Sequence, residues 1–284
     1  MSTIQTKTYS GNGHSNYRVQ IERYESAAEV VSKCKERKVT NSSFHDMAKH
    51  PIDSDWHGVK SYGEALELLK NGYQPVVENM RGVFKATMSG SRSRFTFQNN
   101  VCGFAPVIPL ALKGVPNSMI DMTIRPMKTK VIDVYYDITN SAGTTVKEIM
   151  ENGKILLGAI TELEAQGYRF NLYAVQTYCD KADADMLVVK VESSTQPLDL
   201  KRISFPLCHT AFFRVVGFDW YSKVPNGKYR GAYGHAAMHE FGSDTEKFYK
   251  SMFGQNAVCI SGARIKENGK KHIKEVLTND ESKN

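Results

Sequence analysis

The sequence has no apolar run that approaches the roughly 20 residues of a membrane-spanning helix. Its first 15 residues also lack the basic and then apolar pattern of a signal peptide. We therefore expect a cytosolic protein with no membrane partner. The five cysteines are scattered and none belongs to a C-x-x-C pair, which argues against a zinc ribbon or a thioredoxin-like redox site.

The common catalytic motifs are missing as well. There is no G-x-x-x-x-G-K-[ST] phosphate loop, no G-x-G-x-x-G turn between a strand and a helix, and no G-x-S-x-G nucleophile elbow. His235 and His239 are four residues apart, but no glutamate follows the first histidine, so they do not form the metalloprotease motif. No set of residues indicates a reaction or a cofactor, and we expect a non-enzymatic protein.

The composition is that of a soluble globular protein with a basic surface. The chain has 284 residues, of which 41% are hydrophobic and 24% charged. It carries a net charge of +7 and has an isoelectric point of about 9.0. A positive excess favours acidic partners such as nucleic acid through non-specific attraction.

The region from Lys130 to Glu192 predicts the centre of the fold. The β-branched and aromatic run 131–137 is typical of a buried strand. Thr145 then begins a capped helix with a stripe of apolar residues, and the helix ends at Gly167. Two further strands, 168–178 and 186–192, follow. Their connection is too short for a parallel crossover, so they should pair antiparallel.

This order of strand, helix and antiparallel hairpin is similar to that of von Willebrand A-like domains. We predict an α/β fold with a three-layer sheet of this topology, preceded by an α+β N-terminal region whose helices begin at Ser26 and Ser61. The proline-rich segment 104–116 should pack across the sheet as an irregular linker. The predicted parts are a mobile arm (1–17), the α+β region (18–125), the sheet domain (126–265) and a charged tail (266–284).

The turn after the predicted central strand has the pattern D-x-T-x-S, formed by Asp137, Thr139 and Ser141. In von Willebrand A-like domains, D-x-S-x-S at this place supplies oxygen ligands to a magnesium ion, and hard oxygen ligands suit that ion. The nearest candidates for later ligands are Thr195 and Asp219. The alternative is that the three residues only cap the helix and complete the turn.

Two basic segments are candidates for binding nucleic acid. The first contains four basic residues and no acidic one, and the second combines basic and aromatic side chains, the combination that binds single strands. The candidate residues are Arg81, Lys85, Arg92, Arg94, Lys223, Lys228, Tyr229 and Arg230. The alternatives are a solvated surface for the charges and a place in the core for the aromatic residues.

Four separated blocks resemble an uncharacterised family of proteins encoded by tailed bacteriophages and prophages. The blocks are 56–72, 103–119, 152–169 and 198–218. The resemblance implies a phage source, a location in the host cytoplasm or with the virion, and a phage or host protein as partner. The family has no established activity, so the resemblance implies no catalytic residue.

We therefore expect a phage accessory protein that contacts nucleic acid or virion components through basic loops. The first alternative is a von Willebrand A-like adaptor that binds a protein partner through magnesium. The second is an enzyme without a known motif.

Overall fold

The computed structural model describes residues 2–11, 13–89, 95–124, 130–224, 236–262 and 265–278. Its strands are β1 (Thr3–Gly11), β2 (His14–Tyr24), β3 (Phe95–Asn100), β4 (Ala105–Pro106), β5 (Met119–Ile124), β6 (Lys130–Asp137), β7 (Tyr168–Cys179), β8 (Asp183–Glu192) and β9 (Val258–Ser261). Its α-helices are α1 (Ala27–Glu36), α2 (Ser42–Lys49), α3 (Ser54–His57), α4 (Tyr62–Asn71), α5 (Gln74–Ser89), α6 (Ile108–Leu112), α7 (Val146–Ala165), α8 (Leu200–Cys208), α9 (Phe218–Tyr221), α10 (Ala237–Phe241), α11 (Thr245–Phe253) and α12 (Ile265–Thr278).

Six of the described strands form one mixed sheet in the order β1-β2-β8-β7-β6-β9. Strand β6 runs parallel to β7 and to β9, and β2 runs parallel to β8, whereas β1 with β2 and β7 with β8 are antiparallel. The predicted α/β class is confirmed. The predicted antiparallel pairing of β7 and β8 is also confirmed, because a few residues can join antiparallel strands but cannot cross over a sheet.

Helix α7 forms for the local reasons that the sequence indicates. Thr145 accepts a hydrogen bond from the backbone of Glu148, and the Glu148 side chain accepts one from the Thr145 backbone, so both halves of the capping box are present. The helix buries Leu156 and Ile160 against the sheet. Gly153 allows α8 to approach closely, since a Cβ at this position would lie 2.5 Å from the Cys208 sulfur.

Helices cover both faces of the sheet, because alternate residues of its central strands enter different hydrophobic clusters. Val134 and Tyr136 belong to a cluster that includes residues of α1, α5, α7, α8 and α12. Tyr135 points to the other face, where it joins a cluster that contains Phe241 of α10 and Phe248 of α11. Strands buried on both faces account for the nearly continuous apolar run of β6.

Residues 1–17 were predicted to form a mobile arm, but most of their described part belongs to strands β1 and β2. Residues 3–11 form β1, and β1 pairs along its length with β2. The β1 side chains are mostly exposed, and this explains their polar sequence.

The hairpin of β1 and β2 places residues from before position 125 in the main sheet, and the larger hydrophobic cluster contains residues from both sides of that position. The predicted boundary at residue 125 therefore does not separate two cores.

The chain after β8 does not form one continuous helix. Helix α8 ends at Cys208, and the next residue, His209, has an extended backbone. A π-helix then covers Phe212–Gly217 before α9 begins. Gly217 faces Gln176 so closely that a Cβ would lie 1.8 Å from the Gln176 amide oxygen. A larger side chain at position 217 would therefore have to displace the buried Gln176 side chain of β7.

The predicted charged tail is helical over its described residues. Helix α12 occupies Ile265–Thr278 and buries Ile265, Ile273 and Leu277. These three positions lie on one face at helical spacing. This short apolar stripe packs against α7. It was not predicted because charged residues dominate the sequence of the segment.

Candidate functional site

The predicted metal site lies where β6 ends and the turn to α7 begins. Asp137, the last residue of β6, is buried. One of its carboxylate oxygens accepts a hydrogen bond from the Tyr249 hydroxyl at 2.6 Å, and the other accepts one from the Thr139 backbone N–H at 2.9 Å. Burial raises the pKa of Asp137, although these hydrogen bonds oppose the shift. The carboxyl group is therefore held inside the protein by partners of its own.

The other two residues of the D-x-T-x-S pattern have separate contacts. The Thr139 hydroxyl oxygen accepts a hydrogen bond from the Thr177 backbone N–H at 2.9 Å, which attaches the turn to β7. Ser141 is exposed, and its hydroxyl lies 3.2 Å from that of Thr144. The described residues contain no group of three His, Cys, Asp or Glu side chains that could hold a metal ion. Any metal here would depend on hydroxyl and backbone oxygens beside Asp137.

Arg214 holds the same turn in place, a role that no sequence pattern predicts. Its guanidinium is fully buried in the π-helix. It donates hydrogen bonds to the backbone carbonyls of Trp56 at 2.6 Å, Ser141 at 3.1 Å and Thr144 at 2.9 Å. The guanidinium also lies 4.2 Å from the centre of the Trp56 ring. Arg214 thus joins α3, the β6–α7 turn and the π-helix.

Asp219, proposed above as a later metal ligand, lies in an ion-pair network. It is 1% exposed. Its carboxylate accepts hydrogen bonds from Lys49 at 2.9 Å, Lys223 at 2.7 Å and the Tyr62 hydroxyl at 2.7 Å. Burial alone would raise the pKa of Asp219, but these three donors outweigh it and the pKa is lowered. The network joins α2, α4 and α9. Thr195, the other proposed ligand, is exposed and bonds to Ser193.

A second buried carboxylate belongs to Glu22 of β2. One of its oxygens accepts hydrogen bonds from Tyr24 at 2.7 Å, Arg37 at 2.7 Å and the Trp220 indole at 2.9 Å. The aromatic residues of the segment 212–221 therefore have structural roles, as the core alternative predicted. Phe212, Phe218, Trp220 and Tyr221 are all buried.

Two of the candidate nucleic-acid residues have described side chains. Arg81 is exposed on α5. Lys223 is buried, and its ammonium is paired with Asp219, so it serves the network rather than the surface. The backbone of Lys85 belongs to α5. The remaining candidates, Arg92, Arg94, Lys228, Tyr229 and Arg230, lie outside the described residues.

A cavity of about 220 Å³ lies along the open edge of β9, between α11 and α12. Its walls include Tyr249, Cys259, Ser261 and Ile273. Burial raises the pKa of Cys259 to about 12, so this thiol stays protonated and is a poor nucleophile at neutral pH. The cavity reaches the Asp137 site through Tyr249, whose hydroxyl is already bonded to Asp137.

The most unusual surface lies elsewhere, on residues 95–124, which we call the apolar arm. Strands β3, β5 and β4 form a separate three-stranded sheet in that order, and α6 lies between β4 and β5. None of the residues from 97 to 122 is buried. Among its described side chains the arm exposes seven large apolar ones, with exposed fractions from 37% to 83%: Phe97, Val101, Phe104, Ile108, Leu112, Val115 and Met122. The prediction that residues 104–116 pack across the main sheet is therefore wrong.

Residues 4–280 match the family described as "Domain of unknown function (DUF7192)". Neither a curated protein nor a solved structure matches the chain. No helix within the described ranges is long and apolar enough to cross a membrane. The family match covers almost the whole chain, and it includes the main sheet, the Arg214 and Asp219 networks and the apolar arm. The protein therefore belongs to the DUF7192 family of domains of unknown function.

Proposed function

We propose that the protein is a non-enzymatic accessory protein of phage or prophage origin, which acts in the host cytoplasm or with the virion by binding other macromolecules. The observation that carries this proposal is the apolar arm. Soluble monomers rarely expose large contiguous apolar surfaces, and such surfaces mark sites of interaction. Seven large apolar side chains on one small unit are more than scattered surface exposure explains.

The use of the buried polar groups also favours binding over catalysis. Glu22, Asp219 and Arg214 each connect several elements of the fold through hydrogen bonds of 2.6–3.1 Å. Catalytic groups need access to a substrate, and these side chains face other parts of the protein. Their geometry supports a rigid body that presents binding surfaces.

The arm as a binding surface is tested by crosslinking. A photoreactive phenylalanine analogue at position 104 should crosslink to protein in cells that produce the chain, because the Phe104 side chain is exposed. The same analogue at Ile52, which is 93% exposed on the main body, should give little product. Equal yields at the two positions would contradict a specific role for the arm.

The basic loops are proposed as a second contact, with nucleic acid. We expect a labelled single-stranded oligonucleotide to bind at low salt and to lose affinity steeply as salt increases, because phosphate contacts release counterions. Reversing four charges should weaken binding at least about tenfold and flatten the salt dependence. The changes are R92E, R94E, K228E and R230E, and the readout is fluorescence anisotropy.

The control for this prediction has the same change of net charge at other exposed positions. The four changes are K35E, K38E, K60E and K181E, all on exposed side chains. If the control variant loses as much affinity as the first, the attraction is a property of the whole charge and not of the loops. If the wild-type chain does not bind at low salt, the nucleic-acid contact is refuted.

A von Willebrand A-like adaptor is the second candidate. It is supported by the partial strand order β8-β7-β6-β9 and by the position of Asp137 at the end of β6. Strands β7 and β9 lie on opposite sides of β6, so the direction of the strand order changes at β6. Ligands of open α/β sheets bind at such a switch point. Asp137, Thr139 and Ser141 would supply oxygens to magnesium, which would bind an oxygen of the partner protein.

Magnesium should then raise the melting temperature by about 5–10 °C at a hundredfold excess over its dissociation constant. The effect should grow as the pH rises, because the pKa of Asp137 is raised by burial and the metal needs the carboxylate. D137N should abolish the shift while it keeps an acceptor for Tyr249. D133N, on an exposed residue of the same strand, is the control. A melting curve that EDTA does not change would remove this candidate.

A further inference from the structure

We propose that the apolar arm binds a second copy of this chain, with the apolar faces of two arms packed together about a twofold axis. This inference rests on the proposed function, in which the arm is a binding surface, and it names the partner. Four features of the arm support it: its two faces, its lack of a core, its charges and its area.

The small sheet of the arm has one apolar and one polar face. Phe97 lies opposite Met122 in the antiparallel register of β3 and β5, and the Phe104 ring is 6.3 Å from the Phe97 ring. The alternate pair is Gln98 and Asp121, which point to the other face because side chains alternate along a strand. An antiparallel sheet with this pattern normally packs its apolar face on a core.

None of the side chains from 97 to 122 is buried, so this part of the arm has no core that covers its apolar face. The extensive contacts of β3, β4 and β5 are with one another rather than with any other described element. Small sheets need a packed hydrophobic face for stability. Gly103 must pass close to β5, since a Cβ there would lie 2.1 Å from the Ile120 carbonyl oxygen. The arm is thus a defined shape whose apolar face needs a partner.

The charges of the arm suit a copy of itself. In a chain of net charge +7, residues 95–124 contain one lysine, Lys113, and one aspartate, Asp121. Two identical basic surfaces would repel each other, but two neutral arms do not. A twofold interface brings the same patch of both copies together, so a patch with little charge does not repel its counterpart.

The apolar area of the arm is close to that of a dimer interface. The seven exposed apolar side chains leave on the order of 100 Å² each open to water, which is roughly 700 Å² over the arm as a whole. A stable interface takes about 800 Å² from each partner. A lipid surface fits less well, because membrane-binding amphipathic segments have a polar face rich in Lys and Arg. The polar face here carries Gln98, Asn100 and Asp121.

The test is the mass of the full-length chain in solution, measured by sedimentation velocity over a hundredfold range of concentration. We expect a dimer for the wild type, and we expect F97S/F104S to raise the dissociation constant at least about a hundredfold. I52S removes an even more exposed apolar side chain from the main body and should remain dimeric. Alkylation of Cys102, the exposed cysteine within the arm, should be slower in the dimer than in F97S/F104S.

Each other outcome overturns the inference in a different way. A wild-type chain that stays monomeric, but whose photoreactive residue at position 104 crosslinks to a different protein, refutes self-association and leaves the proposed function intact. A monomeric chain that binds neutral phosphatidylcholine vesicles, and loses this binding in F97S/F104S, assigns the arm to a lipid surface. A monomer with neither property refutes both the inference and the role of the arm in binding.

Discussion

Replacing Asp219 with alanine is expected to lower the free energy of unfolding by about 3–5 kcal/mol, the usual cost of removing one partner of a buried charge pair. The change leaves the Lys223 and Lys49 ammonium groups and the Tyr62 hydroxyl without the carboxylate that accepts their hydrogen bonds. Lys223 is itself buried, so water cannot fully replace the lost acceptor. Urea denaturation followed by circular dichroism measures the loss.

Two comparisons test the cause of this loss. D46A removes an exposed carboxylate from α2, and it should change the unfolding free energy by no more than about 0.5 kcal/mol. D219N keeps an acceptor of the same shape without the charge, so its loss should be intermediate. If D219N is as stable as the wild type, the charge of Asp219 has no role in stability.

The same network predicts how stability depends on pH. Because the pKa of Asp219 is lower in the folded protein than in the unfolded chain, the stabilisation is complete above the unfolded value, near 4. It is lost as the pH falls from that value through the folded pKa. The difference in unfolding free energy between wild type and D219N should therefore shrink on acidification. A constant difference over this range would contradict the assignment.

Replacing Arg214 with methionine is expected to cost about 3–5 kcal/mol as well, although no carboxylate among the described residues pairs with it. Methionine fills much of the volume, but it donates nothing to the carbonyls of Trp56, Ser141 and Thr144. Each of these acceptors would lose a charged donor in a buried setting. Urea denaturation again measures the change.

A lysine at position 214 tests whether the positive charge alone, without the shape of the guanidinium, stabilises the protein. It keeps the positive charge, but its single ammonium cannot reproduce the planar fork that reaches three carbonyls, so R214K should lose most of the stability that R214M loses. R202M, at an exposed arginine of α8, should be nearly neutral. Equal stability of R214K and the wild type would show that the directional hydrogen bonds of the guanidinium do not matter.

The elements predicted correctly are those whose signals lie within a few residues. Ser26, Ser61 and Thr145 each accept a hydrogen bond from the backbone N–H three residues later. A cap of this kind needs only its own turn of helix. The short link between β7 and β8 is equally local, and it determines their direction. These features were sufficient for the α/β class and for the central part of the sheet.

The elements predicted wrongly depend on distant partners. Strand β1 is polar because most of its side chains face water, and only its hydrogen bonds with β2 reveal it. In α12 an apolar stripe is concealed among charges, and its burial depends on α7. In each case tertiary packing outweighed the local pattern.

The candidate sites also divide into those with a local sequence signal and those that depend on distant partners. The D-x-T-x-S pattern was visible in the sequence and does lie at the end of β6, where its function as a metal site remains a prediction. The roles of Glu22, Asp219 and Arg214 could not be inferred, because a charged residue in a sequence does not show whether it faces water or a buried partner.

The sequence alone determined the helix caps, the central strands and the positive charge, because these depend on neighbouring residues or on simple sums. Only the tertiary structure decided which charges are buried and which apolar residues are exposed. Arg214 and Lys223 are cations that lie inside the protein, whereas Phe97, Phe104 and Leu112 are large apolar residues that face solvent. Burial is a relation between distant parts of the chain, so no local pattern specifies it.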